Sequence, residues 1–122
     1  MQNNMDIELN PLPVIDWDHS LKLAGHDTRL ATDILAFLIK NLPEDLLIIK
    51  KLSVNDEYQE LTRVIHKLHG AVCYSGTPRL KILLKRLETD LKNHIMDDLP
   101  SLLNQLETEV SLLLEQYSRL HI

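Results

Sequence analysis

The sequence predicts an all-α fold, an antiparallel four-helix bundle with a short extra N-terminal helix. Three observations carry that expectation. Leucine, isoleucine and valine recur at steps of three and four through most of the chain, the spacing of one helix face. Turn formers and breakers fall between these stretches, at "SVNDE", "SGTP" and "NHIMDDLP". With 44% hydrophobic residues but only 4% aromatics and 3 glycines, the core has to be aliphatic, a composition that favours helices over a β-sandwich. No alternating stretch is long enough for a sheet, and no internal repeat or low-complexity tract is found.

Along the chain, the polar "MQNNMDIELNPLP", broken by Pro11 and Pro13, is expected to form a flexible tail or linker over residues 1–13, with the bundle domain over 14–122. In "VIDWDHSLKLAG", Asp16 or Asp18 is placed to cap a short helix and Gly25 to stop it. From Asp27, Leu30, Ile34, Phe37, Leu38, Leu42, Leu46, Ile49 and Leu52 keep helical spacing. Because the apolar phase continues past Pro43, one long kinked helix or two nearly collinear ones are expected there rather than a reversal. A third helix is expected from about Asp56 to about Ser75, ended by Gly76. Thr77 is placed to cap the fourth helix, and Pro78 suits its first turn. The fourth helix presents Leu80, Leu83, Leu84, Leu87 and Leu91. The fifth, from about Asp98, presents Leu102, Leu103, Leu106, Val110, Leu113, Leu114 and Tyr117. Four long amphipathic helices joined by short loops close around one core as a mostly antiparallel bundle.

Composition also excludes function classes. At 122 residues a single domain with a real core is expected. A formal charge of −5 repels polyanions, so nucleic acid is not an expected partner. No apolar run approaches the roughly 20 residues of a membrane-spanning helix, and no membrane contact by these residues is expected. The lone Cys73 cannot form an internal disulfide, and no secretory signal is recognisable, which fits a reducing cytoplasmic setting. Nothing in the composition calls for a dimer, so a monomer is expected.

The chemistry concentrates in "RVIHKLHGAVCYSGTPRLKILLKRLE". At about 100° per residue, Leu61, Ile65, Leu68 and Val72 form one narrow core stripe, flanked by Val64 and Ala71. His66 falls well off that stripe, beside Arg63, Gly70 and Gln59, and should be exposed; His69 should sit at its rim. Gly70 lies one turn after His66 on the outward side, where glycine costs about 1 kcal/mol relative to alanine. A missing side chain there leaves the imidazole open to close approach by another macromolecule. That is what a nucleophilic histidine acting on a large partner requires.

"HKLHGAVCYSGTPRLKILLKRLE" resembles the signature of histidine phosphotransfer (HPt) domains: an active histidine, a basic residue three on, glycine four on, a second glycine ten on, spaced leucines and a terminal Gln or Glu. His66, Gly70, Gly76, Leu80 and Glu88 match it. With the upstream "DW…LA…LAFLIKNLPEDL", the pattern is similar to the C-terminal phosphotransfer domain of BarA-type tripartite hybrid sensor kinases, over about Ile15 to Tyr117. His69 departs from the usual Lys or Arg. An imidazole compensates phosphoryl charge less well than an ammonium, so Lys67 and Arg63 are alternative sources of that charge.

The resemblance implies that His66 takes a phosphoryl group from a receiver-domain aspartate and passes it to a response regulator. It implies that Glu88 orients the imidazole through Nδ1–H, and that the chain binds no cofactor of its own, with Mg²⁺ supplied by the receiver. Such a domain is a carrier rather than an enzyme, part of a larger hybrid kinase. Gln59, Arg63, Lys67, His69, Gly70 and Arg79 are the candidate phosphate and receiver contacts.

Other readings are weaker. His66 and His69 at i, i+3 are too few ligands for a metal site, and His19, His26, His94 and His121 are scattered. Cys73 and His69 at i, i+4 lack an orienting third group or an oxyanion hole. Glu107, Glu109 and Glu115 read as a solvated acidic face. A helical protein-interaction module that is not phosphorylated is the alternative of a different class, but it leaves Gly70 unexplained.

Overall fold

The computed structural model describes residues 7–120, and within them five helices and no strand. The short α1, Trp17–Leu23, precedes α2, Thr28–Val54; α3, Tyr58–Val72; α4, Pro78–Lys92; and α5, Leu99–Ser118. Short turns separate the last four. α2 packs on α3, α3 on α4, α4 on α5, and α5 returns to α2, which closes the ring, while α1 lies against α2.

Local chemistry explains the boundaries. The Asp16 and Asp27 carboxylates accept from the backbone N–H groups of His19 and Leu30, each 3.0 Å away, and so start α1 and α2. α2 runs through Pro43 as one helix, the first of the two forms the sequence allows, with the proline on its exposed side. α3 starts two residues later than expected, because Asp56 takes a left-handed conformation, φ +55°, that no helix can include. It also ends earlier, at Val72, where the Ser75 hydroxyl donates back to the Val72 carbonyl at 2.9 Å. Thr77 stands at the start of α4, but its hydroxyl does not cap the helix. It bonds the Ser75 hydroxyl at 2.7 Å within the turn.

The core is aliphatic. Leu42 and Ile49 of α2 meet Leu61 and Ile65 of α3, Leu80, Leu83, Leu84 and Leu87 of α4, and Leu102, Leu106 and Leu113 of α5, all essentially inaccessible to solvent. Burying each such side chain contributes about 2 kcal/mol. The α2 stripe differs from the expected one. Ala31, Leu35, Leu38, Leu42 and Ile49 face inward, whereas Leu30 is exposed and Phe37 is 71% exposed. α2 has apolar residues on more than one side, so spacing alone did not single out the packed face.

Two further expectations are corrected. Residues 1–6 of the expected tail lie outside the described residues, but residues 7–13 are not a free linker. Leu9 is buried against the core, and the Gln105 side-chain amide clasps Ile7, accepting from its N–H at 2.9 Å and donating to its carbonyl at 2.7 Å. Glu109, read as solvated, is only 2% exposed and receives Arg79 from α4 at 3.1 Å. Burial pushes its carboxyl above the usual range, against the lowering effect of the Arg79 charge and hydrogen bond, and Glu109 Oε2 has no hydrogen-bond partner.

Candidate functional site

The site is assembled across the α3–α4 reversal, and Gly76 makes that reversal possible. Its φ of +70° is left-handed, and a Cβ built on it would lie 1.9 Å from Ser20 Oγ and 2.8 Å from the Asp16 carbonyl oxygen. Through this gap α1 is bolted to the turn: Asp16 N–H donates to the Gly76 carbonyl at 2.9 Å, and the Ser20 hydroxyl to the Ser75 carbonyl at 2.8 Å. The register between α3 and α4 is thereby fixed, and with it the height at which residues of the two helices meet.

At that register His66 and Glu88 face each other. The His66 side chain is 65% exposed, whereas that of Glu88 is 9% exposed. His66 Nδ1 is in direct hydrogen-bond contact with Glu88 Oε2. Two more nitrogens lie close to the same carboxylate. His69 Nδ1 lies 3.0 Å from Oε1, and Lys92 Nζ, one turn on along α4, lies 2.7 Å from Oε2. Burial alone pushes the Glu88 carboxyl up. Hydrogen bonds from Lys92 and His66, and the charges behind them, outweigh it and hold the group at about 2.

That ionisation fixes the imidazole. A carboxylate held at about 2 is an anion at neutral pH and can only accept hydrogen bonds, so His66 Nδ1 has to carry the proton. The lone pair of the neutral ring then resides on Nε2, on the side away from Glu88 and toward solvent. One exposed nitrogen, held in one tautomer and at one rotation, is the chemical output of this arrangement.

The other expected site residues divide into those near His66 and those elsewhere. Gly70 is exposed one turn from His66, and a Cβ added to it would meet nothing within 4 Å. Gln59 is exposed two turns before His66. Arg63 is exposed but ion-paired with Glu60 on its own helix. Lys67 lines a groove of about 480 Å³ between α2 and α3, with Phe37, Asn41 and Asp45. His69, 15% exposed, is at the rim as expected, but its Nδ1 is engaged with Glu88, and its Nε2 is 4.0 Å from Cys73 Sγ. Arg79 does not join the site, because its guanidinium turns to Glu109 of α5 and to Asn10. Lys92, which the sequence reading did not single out, does join it. Its i, i+4 relation to Glu88 on α4 was visible, but only the choice of Glu88 as a site residue makes that spacing informative.

On the other side of α3, a groove of about 790 Å³ runs past His69, Val72 and Cys73 between α1 and α4, with Leu12, Leu23 and Ile82 exposing apolar surface along it. Among the described residues no cluster of three or more His, Cys, Asp or Glu side chains is arranged to hold a metal ion, and no helix is long and apolar enough to cross a membrane.

Comparison with known proteins identifies the family. Residues 33–116 match the family model of the Hpt domain. The signal transduction histidine-protein kinase BarA of Escherichia coli (strain K12) is 38% identical over 88 residues, which is 72% of this chain and 10% of that protein. The sensor protein GacS of Pseudomonas syringae pv. syringae is 34% identical over 111 residues, 86% of this chain and 12% of that protein. The chain thus spans about a tenth of the length of these relatives. The crystal structure of an HPT domain from a sensor hybrid histidine kinase of Shewanella superimposes with a TM-score of 0.80 at 31% identity, covering 89% of this chain and 97% of that one. Fold, motif and relatives converge, and the chain belongs to the Hpt domain family.

Proposed function

We propose that this domain carries a phosphoryl group on His66 between two receiver domains of a phosphorelay, one in the parent hybrid kinase and one in a response regulator. The single observation that carries the reading is the exposed His66 ring whose Nδ1 is tied to the buried Glu88 carboxylate. It leaves Nε2 as a pre-oriented nucleophile.

In the forward step the Nε2 lone pair attacks the phosphorus of an aspartyl phosphate. The new P–N bond forms as the P–O bond to the aspartate breaks, and its electron pair returns to that carboxylate. Phosphoryl transfer requires in-line placement and compensation of charge on the equatorial oxygens more than covalent help. Mg²⁺, brought by the receiver, supplies much of that compensation. This chain contributes the oriented ring and an open approach past Gly70. The reverse reaction on a second aspartate discharges it. The domain acts as a carrier without turnover of its own, as a monomer and on the cytoplasmic side.

Incubation with a radiolabelled receiver tests the reading. Acid-labile, alkali-stable label is expected on the wild-type domain and on His69→Gln, whose amide can still donate to Glu88, and none on His66→Gln. If a panel of folded receivers labels none of the three, the helical interaction module becomes the better account.

A further inference from the structure

Glu88 has an effect on His66 that works against nucleophilicity. By accepting from Nδ1–H it fixes the useful tautomer, but an anion beside an imidazole also favours a second proton on Nε2, which removes the attacking lone pair. The structure places a cation where it opposes that second effect. Lys92 Nζ lies 2.7 Å from Glu88 Oε2, the same oxygen that accepts from His66 Nδ1.

We propose that Lys92 is a positioning residue that balances the charge of Glu88, so that His66 stays oriented yet neutral at working pH. The proposal rests on the carrier reading of His66. Three other charged or titratable groups of α3 near the ring have neighbours of their own. His69 takes the opposite oxygen, Oε1, at 3.0 Å. Arg63, on the ring's own helix, is paired with Glu60. Lys67 interacts electrostatically with Asp45 of α2. Lys92 is thus the fixed positive charge on the oxygen that serves the nucleophile. Its position on α4, one turn beyond Glu88, places it there whether or not a partner is bound.

The inference predicts a sign. Without the ammonium, Glu88 stabilises the imidazolium more strongly, so the neutral ring is recovered only at higher pH. Diethyl pyrocarbonate acylates neutral imidazole and needs no receiver, so its rate at His66 can be followed by peptide mass spectrometry from about pH 5 to about pH 8, the range in which imidazoles titrate. For Lys92→Met the acidic limb of that profile is expected to move up by roughly half a unit, the size of a half-exposed charge interaction. Lys92→Arg should leave the limb in place. Lys92→Gln, which keeps a donor but no charge, should behave like Lys92→Met. The phosphoryl-transfer profile should move in the same direction, with thermal midpoints confirming that each variant is folded.

An unmoved or lowered limb in Lys92→Met, or a wild-type limb in Lys92→Gln, overturns the proposal. So does a transfer rate reduced equally at every pH, which would make Lys92 a contact for the incoming phosphoryl group. Failure of the carrier reading appears separately, as a wild-type domain that takes no label, and leaves the acylation profile to decide the role of Lys92.

Discussion

Replacing Gly70 by alanine should make the protein more stable and a worse phosphoryl acceptor. Gly70 lies inside α3, two residues before its last helical residue, Val72, and a Cβ added there meets nothing within 4 Å. Nothing in the fold opposes the methyl group, so the substitution should gain most of the usual difference between the two residues in a helix, about 0.5–1 kcal/mol. Proximity to the helix end favours the lower half of that range. For a domain of this size the gain corresponds to a rise in Tm of roughly 2–4 °C. On the carrier proposal the functional effect is opposite in sign, because the new Cβ adds bulk one helical turn from His66 on the exposed side where a receiver would approach. A displacement of about 1 Å in an in-line transfer costs on the order of 100-fold, so Gly70→Ala should lose roughly ten-fold in transfer from a receiver and Gly70→Leu still more. Phosphoramidate, a small donor that approaches Nε2 without a protein surface, should phosphorylate all three forms at similar rates. The reasoning is refuted if Gly70→Ala lowers Tm, or if Gly70→Leu accepts from a receiver at the wild-type rate.

Other expectations concern the scaffold and its titration. Gly76→Ala should cost at least about 2 kcal/mol and loosen α1, since both the left-handed φ and the 1.9 Å approach to Ser20 Oγ exclude a side chain; chemical denaturation measures the loss. Arg79→Met leaves the Glu109 carboxylate buried without its cation and should destabilise by ~3 kcal/mol at neutral pH, less in acid, with Glu109→Gln in the same background restoring most of it. Glu88 and Glu109 should give acid titrations of opposite sign. Glu88, held at about 2, binds fewer protons folded than unfolded, so its stabilisation is complete above about pH 4.5 and is lost as pH falls toward 2; Glu88→Gln should flatten that part of the stability profile. Glu109 is raised by burial, so the folded state binds more protons through its titration range. Stability from this group therefore increases as pH falls, and Glu109→Gln should abolish that increase.

The exposed position of His66 and the rim position of His69 were legible because both follow from a helical wheel once Leu61, Ile65, Leu68 and Val72 define the inward stripe. The turn at Ser75–Thr77 was legible for a similar reason, since Gly76 and Pro78 have strong local preferences. Arg79 was misplaced because its partner, Glu109, comes from a helix that no local pattern links to it. Only the packing of α4 on α5 brings the two charges together. The same holds for Ile7 and Gln105, where a proline-broken stretch read as a linker finds its partner across the bundle. Periodicity reports which way a residue faces relative to its own helix, and says much less about what it meets.

That distinction bears on the site itself. Glu88 was singled out by the resemblance, and its contact with His66 agrees with spacing, because one turn and two antiparallel helices bring residues equidistant from the reversal to the same height. The number of donors it collects could not be chosen so, because it depends on side-chain reach within a few ångströms. Two hydrogen bonds on one buried carboxylate, from His66 and Lys92, have a consequence a single pair would lack. Desolvation disfavours an isolated anion at this position, and a lone imidazole donor would lose part of its hold whenever its own charge changed. Lys92 shares Oε2 with His66 and adds its own hydrogen bond and charge to those of the ring in keeping Glu88 ionised. On the carrier proposal the site has to return to the same starting geometry after every discharge, and an orienting group held by a second cation besides the reacting ring meets that requirement better than one held by the ring alone.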